Sequence, residues 1–488
     1  MTAVSIHAPM DDAPMVSSGL VKAHIKAAMW SLFFSLLAGT LYALQFLNHY
    51  PFPSTEWLSP GRVRLIHTNM IAYGFLTNSF FAILYYVLPR ATGHRVLSEK
   101  LGTLVFWAWQ FILVAAGVGF LLGKGQAVEW GETPTGFKPG RFEPNWIPVD
   151  LLIVIGVVFA LIQFFTPIVK ARGQKLYVTL WYFTAGLVWL PLTYLMGTIT
   201  PEWVLPGASG AAVTGLFIHD LVGLWVTPLG WGTMYFFVPI ILRKPIWSHA
   251  LSVMGFWALA FFYPLGGVHH FLLSPIPDYV EIGAISTTVA IEVVVTTVVV
   301  NFMVTMKGSW DALRTHLPIR WFLTGMLLYL TTCLQCAFQT TWSFQRIIHF
   351  TDWVVGHAHL VMFGVFSFWI YGVMTWLWPR LCGREWAKPA LNTWHYWLTT
   401  VGLVTMFFTL VAAGLVAGQL QANLSPWNDI LAASKPYWIL RTVAGLMMFA
   451  GFLCFAANMW LTARTTTAPA YDERRHLMPE PARVPAGV

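Results

Sequence analysis

At 488 residues, 57% hydrophobic and only 10% charged, the chain lacks the polar surface of a soluble protein, in which about a quarter of residues carry charge. That excludes a disordered chain and a soluble nucleic-acid binder, and four cysteines in all exclude a disulfide scaffold. The excess of 28 Lys and Arg over 20 Asp and Glu reads instead as basic loops on one side of a lipid bilayer, and the fold class is an all-α polytopic membrane protein.

Residues 1–26 show no basic stretch leading into an apolar core, so no cleaved signal peptide is expected. Twelve apolar runs follow, each near the length that crosses a bilayer: 27–47, 63–88, 101–122, 147–167, 176–199, 209–242, 249–274, 279–306, 319–342, 351–379, 393–420 and 437–462. Connections are short. The longest, about 123–146, is rich in Gly, Pro and charge and is expected to be ordered by its surroundings. The organisation is thus an N-terminal segment over 1–26, one twelve-helix domain over 27–462, and a polar, Pro-rich tail over 463–488 that reads as disordered. No internal repeat is evident. Loops on the side of the two termini carry 20 Lys and Arg against 8 opposite, which places both termini in the cytoplasm.

Fifteen histidines occur: nine lie in loops, tails or span ends, His24, His249 and His395 among them, and six lie inside the spans, His67, His219, His269, His270, His357 and His359. An ionisable residue at membrane depth is a functional candidate by default. Counted from the span ends at about 1.5 Å per residue, all six fall in the outer half of the bilayer, within a layer roughly 10 Å thick. Four helices therefore bring six imidazoles to one level, as metal or haem ligation requires.

Helical angles sort them. His357 and His359 are about 200° apart on the tenth span, so one helix can serve two haems, one on each face. His269 and His270 are about 100° apart and can reach one metal, which His219 completes as a three-histidine site with an open position for a small substrate. His67 remains to pair with one of the tenth-span histidines in a six-coordinate, electron-transferring haem. No CxxCH occurs, so the chain attaches no c-type haem. Cys333 and Cys336 form a CxxC inside a span and read as a packing pair.

These residues carry a resemblance. The segments GRVRLIHTNM (61–70), HDLVGLWVTPLGWGTMYFFVP (219–239), FWALAFFYPLGGVHH (256–270), FTDWVVGHAH (350–359) and RTVAGLMM (441–448) resemble the catalytic subunit I of C-family (cbb-type) haem-copper cytochrome c oxidases, over essentially the whole chain. The resemblance implies a terminal oxidase that reduces dioxygen to water at a high-spin haem and copper pair, coupled to proton translocation, with the haem-copper oxidase subunit I bundle as its fold. It implies that His67 and His359 ligate a low-spin haem b, that His357 ligates the high-spin, b-type haem, and that His219, His269 and His270 hold copper. Tyr263 stands where the family places its catalytic tyrosine, joined covalently to His219. Ser252, Tyr235, Thr227 and Tyr263 match a single proton route from the cytoplasm. Arg441 and Arg64 would pair with haem propionates, which offer carboxylates to the guanidinium fork. Glu129 would match a calcium-binding carboxylate. Implied partners are c-type cytochrome subunits as electron donors, and the implied location is a bacterial inner membrane.

Three residues depart from the family pattern: Gln335 where glutamate is usual, Asp220 where asparagine follows the first copper histidine, and Glu292 deep in the eighth span. The related nitric oxide reductases, which hold non-haem iron in place of copper, are the alternative. They typically carry a glutamate at the position of Gly223 and lack the counterpart of Tyr263.

Overall fold

A computed structural model describes residues 15–123, 137–138, 141–142, 149–173, 176–205 and 207–479. Among the described residues, twelve helices are long and apolar enough to cross a membrane. We label them α1 (Ser18–Phe46), α2 (Pro60–Thr92), α3 (Glu99–Leu121), α4 (Leu152–Lys170), α5 (Val178–Gly197), α6 (Ala208–Leu242), α7 (His249–Phe271), α8 (Asp278–Met306), α9 (Leu317–Gln339), α10 (Asp352–Cys382), α11 (Pro389–Ala422) and α12 (Trp427–Arg464). Each coincides with one expected span. The first begins nine residues earlier than read from the sequence, because Lys22, His24 and Lys26 interrupt the apolar run without breaking the helix. Of the long connection after α3, a two-residue hairpin pairing Phe137 with Phe142 is described.

Three helices form the inner ring. The most apolar stretches of α2, α6 and α10 are 94, 83 and 94% buried, against 33–61% for the other nine. A helix apolar all round and covered by neighbours is a core element even in a bilayer. The outer helices keep large apolar side chains such as Trp107, Phe261 and Phe408 on the lipid-facing surface. The α11–α12 hairpin packs back on α1 and closes the bundle.

The same three inner helices share a local irregularity. Each carries a π-helical stretch just inward of its histidine: Met70–Leu76 after His67, Leu221–Val226 after His219, and Leu360–Ser367 after His359. A π turn accommodates an extra residue and is common at functional sites. A hydroxyl residue stands at or just after the inward end of each, and two of these make five-residue back-bonds, Thr77 Oγ1 to the Ala72 carbonyl at 3.1 Å and Ser367 Oγ to the Met362 carbonyl at 2.8 Å. The amino-acid pattern hides this recurrence, because the three segments share geometry rather than residues.

The tail differs from expectation. Residues 465–479 fold back onto the end of the bundle: Met478 N–H donates to the Ile241 carbonyl at 2.8 Å, Arg380 pairs with Glu473 at 3.0 Å and His476 with Glu385 at 2.9 Å. Composition alone misses this, since its charges are matched by charges at the end of α10 and in the loop after it.

Candidate haem and metal site

Two cavities, of about 430 and 340 Å³, lie on opposite sides of α10. Val354, Val355, Ala358 and Met362 of α10 line both and form the wall between them. His359 opens into the first and His357 into the second, as the 200° separation requires.

In the first cavity the His67 and His359 rings stand 6.0 Å apart with planes 26° from parallel. His67 Nδ1–H donates to the Ser35 carbonyl at 2.8 Å, and His359 Nδ1–H to the Val355 carbonyl at 2.8 Å. Both tautomers are thereby fixed, leaving each Nε2 lone pair for a shared ligand between them. The close approach of α1 to His67 needs a glycine: a Cβ on Gly39 would sit 2.6 Å from Nδ1. Arg441 and Arg64 line this cavity. Arg441 is buried, ion-paired with Asp352 at 3.5 Å, and lies 4.2 Å over the Phe46 ring. Trp438 Nε1–H donates to the other Asp352 oxygen at 2.7 Å.

The second cavity holds the three-histidine cluster. His219, His269 and His270 each present a ring nitrogen, all within 4.8 Å of one another. His219 Nε2–H donates to the Tyr263 carbonyl at 3.0 Å, which leaves Nδ1 as its free ligand atom. Thr288 Oγ1 gives its proton to the Ala284 carbonyl at 2.6 Å, so it accepts from His269 Nδ1–H at 2.7 Å and leaves His269 Nε2 free. These histidines converge because α7 tightens after Gly266 into a 3-10 turn, Gly267–Phe271. Facing them, His357 Nδ1–H donates to Gln335 Oε1 at 2.9 Å. Among the described residues the cluster is the one group of three or more His, Cys, Asp or Glu able to hold a metal ion.

The Tyr263 ring lies against His219, with centroids 4.1 Å apart. Gly223 makes room for it, since a Cβ there would overlap the Tyr263 ring. Thr227 also lines this cavity. Further from the cluster, Ser252 is fully buried. Tyr182 OH donates to the Ser252 carbonyl at 3.4 Å, and its ring stacks 5.8 Å from that of Tyr235. Tyr182 thus touches both Ser252, through its backbone carbonyl, and Tyr235, through ring stacking, while Thr227 and Tyr263 line the same cavity; among the described residues no hydrogen-bonded chain links the four. Glu129 lies outside the described residues.

The three departures have distinct settings. Gln335 is buried and occupied as the His357 acceptor. Asp220 is buried beside His219, and its Oδ1 has no partner among the described residues. Glu292 begins the second segment of α8 after a break at Ile291, and its Oε1 is buried without a partner among them. Sequence reasoning missed Ser35, Gly39, Asp352, Trp438, Tyr182 and Thr288. Ser35 acts through a backbone carbonyl, Gly39 through a missing side chain, Asp352 and Trp438 through Arg441, Tyr182 through Ser252 and Tyr235, and Thr288 through a hydroxyl a span away from its histidine; none of these leaves a motif.

Residues 19–448 match the family model for cytochrome c and quinol oxidase polypeptide I. The chain belongs to this family. It is an oxidoreductase of the haem-copper type. Cytochrome c oxidase subunit 1 of Rhodobacter capsulatus is 28% identical over 90% of this chain and 85% of its own length. A cbb3-type cytochrome c oxidase subunit of Stutzerimonas stutzeri is 27% identical over 85% of this chain and 88% of its own. A nitric oxide reductase subunit of the same organism matches at 24% over 90% of this chain and 94% of its own. A solved haem-copper terminal oxidase dimer shares the fold, with a TM-score of 0.74 at 15% identity over 93% of this chain and 85% of that one. The oxidase reading stands above the reductase one, and Gly223 and Tyr263 agree with it.

Proposed function

We propose that this oxidase holds a low-spin haem b between His67 and His359, a high-spin haem on His357, and copper on His219, His269 and His270. The observation that carries the reading is the division of labour across α10: a facing pair of free Nε2 atoms on one side, and a three-nitrogen cluster opposite His357 on the other. When bound, the haems and copper supply electron transfer and dioxygen activation.

The chain's own residues do the rest. Ser35, Val355, Gln335 and Thr288 hold the ligand tautomers, and the Tyr263 carbonyl marks His219 Nε2 as the nitrogen that faces the tyrosine, leaving Nδ1 for the metal. Arg441, steadied by Asp352, offers N–H groups to propionates at the mouth of the first cavity, with Arg64 beside it. Tyr263, covalently joined to His219, supplies a proton and an electron as the dioxygen bond breaks. Ser252, Tyr235 and Thr227 lead protons to it from the cytoplasm, with internal water bridging the gap between Tyr235 and Thr227. Electrons arrive from c-type cytochrome subunits of the same complex. The protein lies in a bacterial inner membrane with both termini cytoplasmic, and Glu129 contributes to a calcium site near the propionates.

Metal and haem analysis of the purified complex tests this. Two non-covalent haems and one copper per chain, after correction for c-type haem, are expected. One extra non-haem iron with no copper overturns the copper assignment and makes nitric oxide the substrate to assay.

A further inference from the structure

On the tail side of the bundle, away from both cavities, sits a buried histidine that the reaction described above does not use. His395, seven residues into α11, is fully buried, and neither ring nitrogen has a hydrogen-bond partner among the described residues. Its ring packs 4.9 Å from Trp321 of α9, 4.5 Å from Tyr371 of α10 and 4.5 Å from Phe455 of α12. Tyr371 OH and Trp321 Nε1 are equally without partners, as are Thr375 Oγ1 and Thr399 Oγ1, one turn along α10 and α11. All four side chains are buried.

Buried polar atoms in proteins are almost always hydrogen-bonded, to protein or to ordered water. Leaving one unsatisfied is costly. Four of these atoms, His395 Nδ1 and Nε2, the Tyr371 hydroxyl and Trp321 Nε1, belong to three rings in mutual contact, and internal water is the partner that such a cluster accepts. The imidazole offers one donor and one acceptor, the phenol and hydroxyls both, and the indole a donor. Among the described residues, no carboxylate or cation touches the ring. The ionisable groups nearest to it are Tyr371 and Tyr396, the latter hydrogen-bonded to Thr324 at 2.7 Å and covered by Arg320. Towards the tail the polar character continues in the buried Asn392–Asn458 pair, 2.9 Å apart, with Asn458 accepting from Lys388 N–H at 3.0 Å. In the other direction, Phe363, which lines the bis-histidine cavity, lies 6.2 Å from the Tyr371 ring.

We propose that His395 is the proton-binding centre of an internally hydrated site beneath the bis-histidine cavity, taking up a proton from the tail side when the haem in that cavity is reduced. The proposal rests on the haem assignment above. Reduction adds one electron to the interior. The neutral imidazole binds one proton from bulk water and becomes imidazolium, and reoxidation returns both. The low dielectric between the two sites makes their charges felt by each other. This site lies on α9–α12 and includes none of Ser252, Tyr235, Thr227 and Tyr263.

The test is redox-difference infrared spectroscopy on the assembled complex, unlabelled and with isotope-labelled histidine, in H2O and D2O. It is combined with the pH dependence of the low-spin haem potential, for the native protein and the H395Q and Y371F variants. Expected are imidazole protonation bands in the native difference spectrum that vanish in H395Q and shift in Y371F, together with a flatter potential-against-pH line in H395Q. Histidine bands unchanged in H395Q, or potential lines of equal slope in all three proteins, overturn the proposal. If H395Q does not assemble, Y371F and the native bands decide it alone, because Y371F removes only a hydroxyl. A native complex without a bis-histidine haem spectrum sinks the haem assignment instead, and is recognised before any variant is compared.

Discussion

Gly39→Ala is a one-carbon change in α1 that is expected to disable the bis-histidine site. The added Cβ would lie 2.6 Å from His67 Nδ1 and 2.7 Å from Cε1, whereas non-bonded heavy atoms settle at about 3.5 Å or more. The imidazole must therefore retreat by about 0.9 Å. Its Nδ1–H bond to the Ser35 carbonyl is 2.8 Å long, and the same retreat takes it to about 3.7 Å, beyond a hydrogen bond. Overpacking costs about 1–3 kcal/mol, and the stranded N–H about 1–3 kcal/mol more. The sum, about 2–6 kcal/mol, corresponds to a loss of roughly thirty-fold to twenty-thousand-fold in retention of the ligand held by His67. The assay is non-covalent haem per chain by pyridine haemochrome, with electron paramagnetic resonance of the low-spin signal. Expected are one haem in place of two and loss of the bis-histidine signal. Full retention of both, with His67 still ligating, would refute the argument that α1 approaches so closely that only glycine fits.

Other outcomes follow from the same geometry. Tyr263→Phe is expected to abolish dioxygen reduction while leaving copper content and both haem spectra intact. Loss of copper would show that the tyrosine acts only as packing against His219. Gln335→Leu strands His357 Nδ1–H, so the iron–histidine stretching frequency should fall and haem affinity drop about 10–100-fold, whereas Gln335→Glu should raise that frequency; identical vibrations in all three proteins would exclude Gln335 as the acceptor that matters. His349, between α9 and α10, is held below the ordinary histidine range by burial, partly opposed by Glu281. Its unfolded form then binds protons first, so stability is complete above about pH 6.5 and declines as pH falls through the window between 6.5 and the lowered value. Replacement by glutamine should flatten the melting temperature over that window, and an unchanged pH dependence would remove His349 from the account.

Hydropathy located every span, because a bilayer demands long apolar helices and tolerates little else. It misjudged the start of α1, where a helix continues through two lysines, and the residues after Arg464, where ion pairs and the buried Met478 hold the chain. The six histidines were legible because charge is scarce at membrane depth, and the 200° argument predicted correctly that His357 and His359 face different cavities. His24 and His395 were read as end positions, yet both are fully buried. Apolar-run boundaries fall several residues short of where neighbouring helices and the tail cover the chain. What holds the ligands was not legible. Ser35 and Val355 act through backbone carbonyls, Gly39 through the absence of a side chain, and Asp352 through an arginine about ninety residues away. The π turns were invisible for a related reason: one extra residue in a uniformly apolar helix changes no pattern that hydropathy records.

Those turns also set what the three inner helices can survive as genes. In an ordinary helix, deleting one residue shifts everything beyond it by about 100°. In the stretch Leu360–Ser367, a deletion can be absorbed by relaxing to regular α geometry, so the chain would still cross the bilayer. The regular helix beside it has no such slack: the inner half of α10 is locked by buried aromatics such as Trp369, Tyr371 and Trp376, so loss of Ala358, between the two histidines, would turn His357 by about 100° away from its cavity. Folding and ligation thus part company just outside the π turn. A frame-preserving deletion inside the turn should leave both histidines facing their cavities, whereas deletion of Ala358 should yield an inserted, helical protein that has lost the His357 ligand.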